Sequence, residues 1–122
     1  MFILDYSANA KNNGLRQTLT GFIDILRAKH PSTPILLVSR TMYIEDHELP
    51  SYTNYRLEQT GLYLDELRRR RENGDSNIHF IDGSTLYGDA GAECTVDGVH
   101  ATDFGFYMIA RRMAPVIEEI LN

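Results

Sequence analysis

The chain has a single cysteine, a deficit of basic residues and no long apolar run. Its one cysteine, Cys94, excludes an internal disulfide framework and any spaced Cys/His metal cluster. Lys and Arg number 12 against 17 Asp and Glu, a net charge of -5, and the pI is near 5.3. A nucleic-acid or anionic-membrane surface needs the opposite balance, because phosphates are bound by displacing their counterions with basic side chains. The run Arg68–Arg71 is the local exception; with Asp65, Glu66 and Glu72 around it, it reads as a solvated helix face. No apolar stretch approaches the ~20 residues that span a bilayer. The opening MFILDYSANA has neither a basic lead nor a small-residue cleavage site, so the compartment stays open. Repeats and low-complexity tracts are also missing.

What remains is ordinary globular material, 43% hydrophobic and 24% charged over 122 residues, and it predicts one domain over residues 1–122. Phe2 to Tyr6 begins with an apolar run and predicts a buried strand, followed by a polar loop from Ser7 to Gly14. Leu15, Leu19, Phe22, Ile23 and Leu26 then recur at helical spacing, predicting a helix from about Asn13 to Lys29. His30 to Pro34 breaks it, and Ile35–Val38 forms a second apolar strand. Met42 to Tyr52 is polar with Pro50 and reads as loop. Asn54 to about Asn73 reads as helix, with Leu57, Leu64 and Leu67 inward. Ile78, Phe80 and Ile81 predict a third strand, and a Gly/Asp-rich loop runs from Asp82 to His100. Thr102 is a good N-cap for a last helix carrying Phe104, Met108, Ile109, Met113, Ile117 and Leu121 inward, kinked at Pro115.

Fully apolar strands joined by helices imply a parallel sheet covered on both faces, a flavodoxin-like three-layer α/β/α arrangement. Ligands of such sheets sit beyond the carboxyl ends of the strands, so the loops after Tyr6, Val38 and Ile81 should share one rim.

On that rim the segment Thr95–Phe106 places Asp97 three residues before His100, just ahead of a helix. Acyl transfer needs an imidazole to take the nucleophile's proton and a carboxylate to orient it, and one such turn can supply both. The longer string D-G-V-H-x-T-D-x-G-F closely resembles the terminal motif of SGNH hydrolases, the GDSL-like lipases and acylhydrolases. The resemblance implies His100 as base and Asp97 as its orienting acid. Gly105 would let the helix approach a strand. Leu4-Asp5-Tyr6-Ser7-Ala8-Asn9-Ala10 resembles the family's third motif, which implies Asn9 as an oxyanion donor. The connection Arg27–Val38 also looks like the family's, so the likeness covers nearly the whole chain. Arg40 and Tyr43, on the same rim, are candidates for the substrate pocket.

The sequence departs from the family at the nucleophile. A G-D-S-like turn after a first strand should carry the serine, and no such turn occurs in these residues. The glycine motif of the oxyanion hole is missing too. The resemblance therefore implies that about two N-terminal strands with their helices are missing, including one that would pair beside Phe2–Tyr6. Ser7, Ser39 and Cys94 are the conceivable substitutes, but none sits on the strained strand-to-helix turn that exposes a nucleophile. Glu45-Asp46-His47-Glu48 is discounted as a metal site, and His79 reads as a packed residue.

The expectation is thus a serine ester hydrolase acting on a small acyl ester, such as a carbohydrate O-acetyl group, with no cofactor or metal. This chain alone would carry the Asp, His and Asn but not the Ser. The competing class is an inactive SGNH-fold domain acting in binding or assembly, self-associating through an uncovered strand edge. A nucleotide or phosphate binder is disfavoured, because Asn12-Asn13-Gly14 makes a poor phosphate loop.

Overall fold

Three short apolar strands pair side by side in parallel: β1 (Phe2–Leu4), β2 (Ile35–Val38) and β3 (Ile78–Ile81), in the order β1-β2-β3. The computed structural model describes residues 1–10 and 13–122. Asn12, part of the stretch weighed above as a phosphate loop, lies outside the described residues. Phe2 stands opposite Ile35 and Ile35 opposite Ile78, so the three strands start level. Pairing stops at Leu4, and Asp5 and Tyr6 already belong to the following loop.

The side-chain period of two sorts β2 between two cores. Ile35 and Leu37 join Leu4 and Ile78 against helix α1 (Gly14–Lys29) and helix α3 (Pro50–Glu72), with Leu15, Leu19, Ile23 and Tyr63 completing that cluster. Leu36 and Val38 face the other way, onto Leu86 and helix α4 (Asp103–Leu121). This is the three-layer α/β/α arrangement, with β2 in the middle and buried at every position.

Several elements differ from the expectation, each for a local reason. The polar stretch after Met42 contains a short helix, α2 (Glu45–Glu48), and α3 starts at Pro50 rather than Asn54. Proline at the first helical position gives up an N–H that the first turn leaves unpaired anyway, so here it starts the helix. The buried stripe of α3 is Gln59, Thr60, Tyr63, Glu66 and Arg70, whereas Leu57 and Leu64 are exposed. Polar groups hold this interface. Glu66 accepts from Thr20 at 2.9 Å and from Arg70 at 2.6 Å, and Arg70 also binds Asp24 of α1. Arg70 is thus buried, unlike the solvated arginine face expected, because paired carboxylates on two helices receive it. On α4 the sheet-facing residues are Ile109, Met113, Val116, Ile117 and Ile120, while Phe104 and Leu121 are exposed. The helix runs on through Pro115.

The connection from β3 to α4 contains two 3₁₀ segments, Gly83–Thr85 and Gly88–Cys94, the second broken at Ala90. On the far side of the sheet, β1 has no neighbour among the described residues except β2, and Ile3 is 45% exposed.

Candidate active site at the carboxyl edge of the sheet

The turn that carries Asp97 and His100 is built from its own backbone. Thr95 and Ala101 form an antiparallel bridge, Val96 N–H donates to the His100 carbonyl at 2.9 Å, and Thr102 N–H donates to the Cys94 carbonyl at 2.8 Å. Inside this loop Gly98 has φ 86°, a left-handed conformation that side chains resist. Asp97 Oδ1 accepts the N–H groups of Val99 at 3.0 Å and His100 at 2.8 Å, closing the turn. Asp97 Oδ2 then meets His100 Nδ1 at 2.6 Å.

These hydrogen bonds all favour the ionised carboxylate. The His100 N–H, the His100 ring and the Val99 N–H, in that order, hold Asp97 down to about 2. A carboxylate can only accept, so a neutral His100 carries its proton on Nδ1 and keeps a lone pair on Nε2. The His100 side chain is 77% exposed, so that nitrogen is open to a proton donor. The pair predicted from spacing is therefore assembled, with the imidazole oriented as a general base requires.

Thr102 caps α4 behind this turn, its hydroxyl accepting the Gly105 N–H at 3.0 Å and donating to the Glu93 carbonyl at 3.1 Å. Gly105 permits a close approach, though to the loop rather than to a strand: a Cβ there would lie 2.1 Å from the Cys94 carbonyl oxygen.

Asn9 sits in the loop that follows β1, beyond the same carboxyl edge of the parallel sheet. Its N–H and that of Ala10 both donate to the Tyr6 carbonyl at 3.0 Å, and its side chain is exposed. Helix α3 anchors this loop from below: Gln59 Nε2 donates to the Ser7 carbonyl at 2.9 Å. Sequence reasoning missed Gln59, since a mid-helix glutamine carries no signal of the loop it will meet.

Next to the Asp97–His100 turn lies a cavity of about 330 Å³. Met42, Tyr43 and Ile44, after β2, form one wall; Ser84, Tyr87 and Asp89, after β3, form the other; Gly98 closes it toward the turn. Ile44 N–H donates to the Gly98 carbonyl at 2.9 Å, and a Cβ on Gly98 would come 2.4 Å from Ile44 Cγ2, so the two loops are in direct contact.

Of the two pocket candidates only Tyr43 reaches this cavity. Arg40 is 4% exposed and stands behind it. Its guanidinium makes a two-pronged contact with Asp46 at 2.7 and 2.8 Å and lies 4.0 Å from the centre of the Tyr43 ring. Asp46 also accepts the Tyr43 N–H at 2.8 Å. Burial pushes the Asp46 carboxyl up, but the hydrogen bonds from Arg40 and Tyr43 and the charges of Arg40 and Arg56 outweigh it, leaving the group below its ordinary range.

The family model of the GDSL-like Lipase/Acylhydrolase family matches residues 1–118. The chain belongs to the GDSL-like lipase/acylhydrolase family. Solved structures agree. A protein assigned as a GDSL-like lipase from Bacteroides ovatus ATCC 8483 is 28% identical with a TM-score of 0.87, over 98% of this chain and 35% of that one. The salicylyl-acyltransferase SsfX3 from a tetracycline biosynthetic pathway is 26% identical with a TM-score of 0.71, over 93% of this chain and 37% of that one. The chain thus spans about a third of the length of each of these structures. No curated protein matches it.

Family membership sharpens the question of the nucleophile, and the three substitutes weighed above are all buried. Ser7 is fully buried. Ser39 Oγ donates to Asp82 Oδ1 at 3.1 Å and accepts the Gly83 N–H at 2.9 Å, which ties the end of β2 to the loop after β3. Cys94 is fully buried, and burial pushes its thiol pKa up, away from the reactive thiolate. In this GDSL-like chain all three groups are therefore sealed from solvent, and Ser39 ties two loops together.

Proposed function

We infer that this chain supplies the acid–base and oxyanion side of a serine ester hydrolase that acts on small acyl esters, with carbohydrate O-acetyl groups as a candidate class. His100 acts as general base, Asp97 orients it, and Asn9 donates to the oxyanion. The observation that carries this reading is the 2.6 Å contact of Asp97 with His100 Nδ1, which leaves Nε2 as the base. None of Ser7, Ser39 and Cys94 is assigned as the nucleophile on this reading, because all three are buried.

The test is hydrolysis of p-nitrophenyl acetate by the protein expressed from its natural reading frame, including whatever precedes Met1, beside the 122-residue chain. Turnover is expected in the former, reduced on the order of 10³–10⁴-fold by His100→Ala. The short chain should show no His100-dependent turnover. Turnover in the longer protein that ignores His100→Ala sinks the reading.

A second reading is favoured by the edge of β1, where Ile3 is 45% exposed. An unpaired strand edge with apolar neighbours invites another strand. On this reading the chain is a non-catalytic SGNH-fold domain that assembles through that edge, and the longer protein shows no turnover at all.

A further inference from the structure

The buried stripe of α3 makes two polar clamps. In its carboxyl half Glu66 and Arg70 bind Thr20 and Asp24 of α1. In its amino half a single side chain, Gln59, reaches the loop after β1. Both protons of the Gln59 amide are used, one donated to the Ser7 carbonyl at 2.9 Å and the other to the Tyr55 hydroxyl at 3.1 Å. Chemistry fixes this orientation, because turning the amide over would set its oxygen against the Ser7 carbonyl, two acceptors with no proton between them. Gln59 is 4% exposed and Ser7 is fully buried, so water does not compete for the bond.

Pairing the Ser7 carbonyl does not by itself call for a glutamine. Ala10 N–H already donates to that carbonyl at 3.3 Å, while donating to the Tyr6 carbonyl at 3.0 Å. The glutamine also carries a penalty. Among the described residues, its Oε1, the Ser7 hydroxyl and the Tyr63 hydroxyl are buried without a hydrogen-bond partner, and buried polar groups left unpaired destabilise a fold. An apolar side chain of similar length would fill the same place at lower cost. What it could not do is tie the loop to the helix at a set distance.

Ser7 stands two residues before Asn9, and the backbone between them is a closed turn in which Asn9 N–H also donates to the Tyr6 carbonyl at 3.0 Å. A shift of Ser7 therefore carries Asn9 with it. Asn9 itself is exposed, so its place is set through the backbone of this turn. From the buried amide and the short, closed path we propose that Gln59 is a positioning residue for the oxyanion donor, setting where Asn9 stands through the Ser7 carbonyl. This rests on the hydrolase reading, in which Asn9 donates to the oxyanion. Such a donor acts only at hydrogen-bond distance from the charge that develops, and a misplacement of ~1 Å can cost on the order of 10²-fold in rate.

The experiment joins kinetics and NMR on the protein expressed from its natural reading frame. Gln59→Met keeps the length and loses the amide; it should lower kcat for p-nitrophenyl acetate about ten-fold with KM unchanged, since only the transition state carries the oxyanion. In an Asn9→Ala background the same substitution should have no further effect, because a residue that acts through Asn9 then has nothing to position. The side-chain amide signals of Asn9 should move in Gln59→Met. Gln59→Asn, polar but one methylene short of the carbonyl, should repeat the loss, and it replaces the methionine variant if thermal melts show that one unfolded.

The proposal is overturned if the folded variants keep kcat, if the loss is equally large in the Asn9→Ala background, or if the Asn9 signals stay where they are. A raised KM at unchanged kcat overturns it as well, in favour of a role in binding. Full turnover in Asn9→Ala would sink the oxyanion role of Asn9, and turnover that ignores His100→Ala would sink the hydrolase reading. Either result removes the catalytic part of the proposal, and Asn9 signals that still move would then leave Gln59 as the anchor of the loop alone.

Discussion

Asp97 grips His100 twice, through Oδ1 on the backbone N–H at 2.8 Å and through Oδ2 on the ring nitrogen Nδ1 at 2.6 Å. Both contacts need the carboxylate, which is why it is held at about 2 instead of its ordinary 3.8. A carboxyl whose folded pKa lies below its unfolded one stabilises the fold above the unfolded value and loses that contribution as pH falls through the folded one. The turn should therefore stay intact to below pH 3 and loosen toward pH 2. Carboxyl carbon NMR of Asp97 checks this; a midpoint near 4 would show that the grip is absent in solution.

Two glycines should respond oppositely to alanine. At Gly105 a Cβ would meet the Cys94 carbonyl at 2.1 Å, so Gly105→Ala should cost about 1–3 kcal/mol through overpacking against backbone. Gly21, on the exposed face of α1, has nothing within 4 Å of its would-be Cβ. Gly21→Ala should stabilise by roughly 0.5–1 kcal/mol through helix propensity. Urea midpoints of the two variants decide it, and equal shifts would contradict the packing.

Cys94 should behave as a core residue. With its thiol fully buried, a disulfide reagent such as DTNB should label it only as the chain unfolds, so labelling and denaturation should share one midpoint in urea. Fast labelling of the native protein would place the thiol on an open surface.

The β1 edge should make the 122-residue chain self-associate, since its backbone donors and Ile3 meet no strand among the described residues. Light scattering should show mass above the monomer's at micromolar concentration, and Ile3→Lys should return it toward monomer. A sharp monomer without the substitution argues against an available edge.

The leucine pattern of α3 shows where reading from sequence stops. Apolar periodicity located the helix, but it pointed Leu57 and Leu64 inward, whereas the structure buries Tyr63, Glu66 and Arg70. Periodicity assumes that apolar residues face the core; on α3 a polar network with Thr20 and Asp24 of α1 takes that place, and it involves partners about 45 residues away in the chain. Arg40 failed in the same way. Its position on the rim was legible, but its partner Asp46 lies in a stretch read as loop, so its burial was not.

The sequence by itself determined the strands, their parallel pairing, the family and the Asp97–His100 pair, because each of these is written in local residue order: apolar runs, helix spacing and a turn of four residues. Tertiary structure alone decided which helix faces are buried, that Ser7, Ser39 and Cys94 are sealed in, and that Tyr43 rather than Arg40 reaches the cavity. Those outcomes depend on which distant groups pair across the layers, and burial of a polar side chain follows from the partner it finds, which no local pattern names.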